Sequence, residues 1–144
     1  MNEVIDQLVQ AGVFESVPPD PTTARRWLDE ARRHTEAAAR IADIDASGSY
    51  VLCYDAARKA IAAVLLAAGY RSMAAPGAHA AIADAAVSMT SNASEKARFR
   101  SFDRMRRQRN KSEYGLRAFS ILEVNVATEL AKWIIEFADT RLDR

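Results

Sequence analysis

Apolar positions recur at helical spacing along most of the chain. Val4, Ile5, Leu8 and Val9 mark one side of a short N-terminal helix that Gly12 should end. The SVPPDP stretch after it is a rigid connector, and residues 1–19 form an N-terminal arm or short helix. Asp20 before Pro21 gives a helix start with a capping acid and a proline in the first turn. From there Ala24, Trp27, Leu28, Ala31, Ala38 and Ile41 predict a helix to about Ile44, with His34 close to the stripe. Ala46-Ser47-Gly48-Ser49 breaks the pattern, and a second helix is expected from about Ser49 to Tyr70.

That second helix carries two stripes. Tyr50, Tyr54, Ala57, Ile61, Val64 and Ala68 form one, while Cys53, Ala56, Ala60, Ala63 and Ala67 form another of small side chains that let a neighbour approach closely. A helix apolar nearly all round belongs at the centre of a bundle. Arg71 to Pro76 reads as a loop, and Gly77 to Thr90 as a short alanine-rich helix with Ile82, Ala85, Ala86 and Met89 inward. Thr90 to Glu95 is a loop ending in a capping residue for a basic helix that Gly115 stops. The last helix is expected from about Phe119 to Leu142, with Leu122, Val126, Leu130, Trp133 and Phe137 on one side and Glu123, Asn125, Lys132 and Glu136 on the other. Trp27, Trp133 and Tyr50 are expected in the core. These elements sum to an all-α, up-down bundle of four or five helices in a single domain spanning 1–144.

Composition supports the helical reading. Of 144 residues, 49% are hydrophobic, and only 5 glycines and 4 prolines interrupt them. A chain of this size buries a core without metals or cross-links. Its one cysteine, Cys53, has no intramolecular partner and sits in an apolar run as a small buried hydrophobe. The apolar segment Ala60 to Gly69 is too short for a hydrocarbon core that needs about 20 residues. The N-terminus lacks a basic leader region, so a cytoplasmic protein is expected.

Charge changes the picture in one place. Between Glu95 and Glu113 there are eight Lys or Arg against three acids, an excess of five in a chain whose net charge is +1. The rest therefore carries about −4, and such segregation points to an anionic partner. On a helical wheel Phe99, Phe102 and Met105 face inward, and Arg100, Arg104, Arg107 and Lys111 form a cationic ridge suited to a phosphate backbone. Arg106 and Arg109 fall near the apolar side instead. They either pair with buried acids or point into a cleft or subunit interface, where a guanidinium fork can hold a phosphate.

The helix order, the alanine-rich central hairpin, and Arg109-Asn110 followed by Tyr114 resemble the HEPN superfamily of small helical RNases and nucleotide-binding proteins over roughly Pro21 to Ala138. In active members an arginine, often followed by Asn, Asp or His, precedes a histidine by a few residues; here Tyr114 stands where that histidine is expected. The resemblance implies a homodimer whose two motifs form one cleft, and RNA cleavage without metal by attack of the ribose 2′-hydroxyl on the adjacent phosphate. It makes Arg109 the electrostatic stabiliser, Asn110 an orienting amide and Tyr114 either a base activated by nearby arginines or a hydrogen-bond donor that transfers no proton. It also implies a toxin or defence role with an antitoxin or nucleotidyltransferase partner. The tyrosine that such partners modify has no counterpart, because its position is occupied by Leu116.

No cofactor or metal is expected. Asp43 and Asp45 lack a third ligand, His34 reads as packed and His79 as exposed, and there is no glycine-rich phosphate loop or nucleophile elbow. Two further readings stand beside the RNase. One is a non-catalytic module that holds nucleotide, nucleic acid or protein in the same basic cleft; the other is an interaction subunit whose arginines pair with Asp103, Glu113 or Glu123.

Overall fold

The computed structural model describes residues 2–143, and these form six helices and one two-stranded sheet. The order is α1 (Glu3–Gln10), β1 (Phe14–Ser16), α2 (Pro21–Ile41), α3 (Ala46–Ala68), β2 (Tyr70–Ser72), α4 (Ala78–Ser88), α5 (Ala93–Glu113) and α6 (Ile121–Leu142). The predominantly helical class expected from periodicity is thus present, with a small sheet added.

α3 lies at the centre. Both of its predicted stripes are buried almost completely, from Tyr50 and Cys53 through Ile61 to Leu66. α2 packs along it as the other arm of a hairpin, tied by a buried Ser49 hydroxyl that donates to the Ala38 carbonyl at 2.7 Å. On another side Cys53 Sγ lies 3.4 Å from Thr128 Oγ1 of α6, and burial pushes the thiol pKa up, so Cys53 stays a protonated core residue. Arg25 of α2 closes the outer edge by pairing with Asp139 of α6 and with Asp143, the C-cap of that helix, while Arg32 reaches Asp139 at 3.3 Å. The Arg25 hydrogen bond holds the Asp139 carboxyl below the usual carboxylate range.

Several boundaries differ from the sequence expectation for local reasons. Ala46 to Ser49 is the first turn of α3 rather than a break, because Asp45 caps it by accepting from the Gly48 N–H at 2.8 Å. α2 ends at Ile41, short of Ile44. The basic helix begins earlier than Glu95, since Asn92 caps it through the Ser94 and Glu95 amides. α6 starts at Ile121 behind a capping box made by Ser120 and Glu123.

The sheet replaces part of the expected Arg71–Pro76 loop. β1 and β2 run antiparallel with Phe14 opposite Ser72, Glu15 opposite Arg71 and Ser16 opposite Tyr70. Three residues per strand are too few for an alternating pattern to show. Gly69 makes the pairing possible: at φ 97° it ends α3 in the left-handed region, and a Cβ there would lie 2.9 Å from the Val17 carbonyl oxygen.

The inner face of α6 also differs. Val124, Ala127, Ala131, Ile134, Ile135 and Ala138 are buried, Leu130, Trp133 and Phe137 are half-buried, and Leu122 and Val126 are each 72% exposed. Tyr50 is in the core as expected, stacked on Phe119 at 3.7 Å between centroids. Trp27 and Trp133 are half-buried at the core's edge, with Arg98 over the Trp133 ring at 4.9 Å. Among the described residues no helix is long and apolar enough to cross a membrane.

Candidate functional site

α5 presents three chemically distinct sides. Phe99, Phe102 and Met105 are buried against the core. Arg100, Arg104, Arg107 and Lys111 are exposed, so the predicted ridge exists as a surface feature. Three of its members, Arg100, Arg104 and Arg107, line a groove of about 890 Å³ that α1 and α4 wall on the other side with Leu8, Asp84 and Val87. A phosphate chain lying there meets cations one and two helical turns apart.

Arg106 and Arg109 occupy the third side, where the structure shows the ion-pair alternative, although neither acid is buried. Each pairs with an acid on its own helix, Arg106 Nε with Asp103 at 2.9 Å and Arg109 with Glu113 at 3.2 Å. Each side chain is only 20% exposed, however, and the Arg109 guanidinium lies over the ring of Tyr54 at 5.7 Å from its centroid. Glu123, the other acid proposed for this role, pairs with Arg117 instead.

Tyr54 organises the inner wall of the site. It is fully buried on α3, stacked on Phe102 with 5.4 Å between centroids, and its hydroxyl lies 3.1 Å from Nδ1 of His79 in the first turn of α4. Burial pushes the Tyr54 phenol up to about 12, outweighing the opposite pull of Arg58, Arg109 and Arg106. It therefore keeps its proton at neutral pH, and in the bond to Nδ1 it donates to the Nε2–H tautomer of the imidazole and accepts from the Nδ1–H tautomer. The His79 pKa is lowered first by burial and then by Arg58 and Arg109, with Arg106 adding and Asp55 opposing. His79 is thus neutral at physiological pH, and as a residue it is exposed, as expected from the sequence.

Arg58 is the third cation of this cluster. It lies one turn after Tyr54 on α3, and its Nε is buried without a hydrogen-bond acceptor, Asp55 being 3.9 Å away. Arg109 Nε is buried in the same condition. An unsatisfied buried donor costs about 1–3 kcal/mol, more when charged. Both arginines, from different helices, act on one Tyr–His pair, so positive charge is concentrated beside it. α4 adds to this, since it starts at Gly77 with no side-chain cap over its first amides.

The remaining motif residues lie beside this cluster. Asn110 is half-buried, and its carbonyl accepts the Tyr114 N–H at 3.3 Å. Tyr114 is the C-cap of α5 and is 81% exposed. Gly115, at φ 69°, turns the chain away, and the Leu116 amide closes the motif on the Lys111 carbonyl at 2.9 Å. Tyr114, Leu116, Ile121, Leu122 and Val126 then form a run of exposed large apolar side chains where α5 hands over to α6.

Tyr54, Arg58 and His79 were absent from the sequence-derived site. Arg58 had a signal: a guanidinium inside a helix apolar nearly all round is the same conflict that singled out Arg106 and Arg109. His79 had none, because only the tertiary fold brings the start of α4 to Tyr54. His34, the other histidine, packs near Glu30 at 3.8 Å. Among the described residues no group of three His, Cys, Asp or Glu side chains is placed to hold a metal ion.

No protein-family model matches the chain, and no curated protein and no solved structure is similar to it.

Proposed function

We propose that this chain is an RNA-directed helical protein of HEPN type, acting as a metal-independent endoribonuclease in a toxin or defence setting. The observation that carries the reading is Arg109, only 20% exposed on the side of α5 that faces Tyr54, whose Nε is buried without an acceptor on the same helix that bears the cationic ridge on its opposite side. In this reading Arg100, Arg104 and Arg107 hold the backbone along the groove, with Lys111 extending the ridge. Arg106 and Arg109 meet the scissile phosphate, where a guanidinium stabilises charge on two phosphoryl oxygens as the 2′-oxygen attacks. Asn110 orients the strand by its amide.

A homodimer belongs to the same proposal. The exposed run from Tyr114 to Val126 is apolar where a solvated surface favours charge, and it adjoins the motif. A second copy packed there covers Leu122 and Val126 and brings two motifs into one cleft, placing Tyr114 at the seam.

A specific feature favours a second reading, a non-catalytic module that binds nucleotide or nucleic acid. Tyr114 is exposed with no described side chain hydrogen-bonded to its phenol, so the monomer holds no general base at the position the motif assigns. The two readings separate in one assay, incubation with a mixed tRNA and structured RNA pool in excess EDTA beside Arg109→Ala and Tyr114→Phe proteins of verified fold. Cleavage that survives EDTA, leaves cyclic phosphate ends and vanishes in Arg109→Ala is expected for the enzyme. Binding without cleavage, lost in Arg109→Ala, leaves the module.

A further inference from the structure

We infer that Arg58, Arg106, Arg109 and His79 form, within a single protomer, a binding site for a phosphate or phosphomonoester group, and that His79 takes up a proton when this group binds. The inference deepens the assignment of Arg109 to phosphate but does not require that the phosphate belong to RNA. It departs from the motif by making His79, rather than Tyr114, the titrating member.

The geometry comes from three helices. α3 supplies Arg58, α5 supplies Arg106 and Arg109, and α4 supplies His79, with Tyr54 beneath them as an apolar floor whose hydroxyl holds the imidazole at 3.1 Å. Arg58 and Arg109 each present a buried Nε–H with no acceptor. The partner acids leave the guanidiniums with donors to spare: Asp103 is shared by Arg106 and Arg107, Glu113 is largely exposed, and Asp55 stands 3.9 Å from Arg58. Arg58, Arg106 and Arg109 all act electrostatically on His79, and three guanidiniums with an imidazole offer more donors than the two oxygens of a planar carboxylate can accept, which favours a tetrahedral phosphoryl group.

Proton uptake follows from the charges around His79. Without ligand, Arg58, Arg106 and Arg109 oppose imidazolium formation and only Asp55 favours it. A bound phosphate dianion reverses that balance at close range. In the tautomer whose proton sits on Nε2, the incoming proton lands on Nδ1 and the Tyr54 hydroxyl turns from donor to acceptor through an oxygen lone pair. Nε2–H remains a donor to the ligand throughout. By linkage, proton uptake at His79 favours binding as pH falls from the ligand-bound to the free His79 pKa, against the loss of phosphate dianion as its second pKa of about 6 is approached.

The test is a pH titration of the two histidine rings by NMR on the full chain, alone and with saturating inorganic phosphate or AMP. The expected result is a His79 pKa below the ordinary histidine value in free protein, rising by about one pH unit or more with either ligand, while His34 does not move. Arg58→Gln and Arg109→Gln should abolish the rise, and Arg100→Gln on the outer ridge should keep it. An unchanged His79 titration in wild-type protein, which needs no variant to fold, overturns the inference. So does an equal shift at His34, or a full shift in folded Arg58→Gln or Arg109→Gln. If RNA binding depends on Arg109 yet phosphate and AMP leave His79 unmoved, the RNA reading stands without this site. A His79 response with no RNA binding leaves the site and removes the RNA reading.

Discussion

The α2–α3 hairpin and the α5–α6 corner are built from the same helical alphabet with opposite logic. In the hairpin, polarity and burial agree: Leu28, Ala31 and Ala38 meet Tyr50, Ala57 and Ile61, and arginines such as Arg33 and Arg40 stay outside. At the corner they are inverted. Arg106 and Arg109 turn toward the aromatic interior, while Leu122 and Val126 turn out to solvent. Burial of apolar surface explains the first region fully. The second spends stability on a cation cluster and an uncovered apolar strip, which is the mark of a surface shaped for binding.

The comparison can be broken most forcefully where the two regions touch. Phe102 is fully buried, packs its ring on Tyr54, and forms the floor on which the arginines rest. Phe102→Ala should lower stability by about 3–5 kcal/mol in denaturant unfolding, as expected of a core aromatic. A loss below about 1 kcal/mol would place the corner outside the cooperative core.

The strip on α6 predicts a far smaller effect on the fold and a large one on assembly. Val126→Ser, at a 72% exposed position, should change monomer stability by no more than about 0.5 kcal/mol. It should also shift sedimentation equilibrium toward monomer if the strip is the dimer seam. An unaltered oligomeric state would move the seam elsewhere.

Periodicity made the hairpin legible because all but two of its buried positions, Thr35 and Ser49, are apolar and the spacing is regular. It located α5 and its ridge for the same reason, and the misfit of Arg106 and Arg109 exposed the site's outer half. The inner half was hidden because His79 and Tyr54 are 25 positions apart and meet only after α4 folds back. α6 misled for a different physical reason. Leu122 and Val126 share a helical face with Leu130, yet the packed side is set by the smaller Ala127 and Ala131, which let α6 approach α3. β1 and β2 escaped notice because each is three residues long and pairs across the whole of α2 and α3.

The central claim is that Arg109 is kept for a ligand at the fold's expense, and Arg109→Met tests it most directly. Methionine keeps the apolar stem while removing a buried Nε that has no acceptor, and it leaves Glu113, about half exposed, free to hydrate. The measurement is RNA affinity by fluorescence anisotropy at fixed salt, on variant protein whose thermal unfolding has been recorded. The account predicts unfolding at the wild-type temperature or slightly above it, with affinity reduced at least about tenfold, equivalent to about 1.4 kcal/mol. A destabilised protein that still binds RNA as the wild type does would make Arg109 a structural ion-pair member and contradict the account.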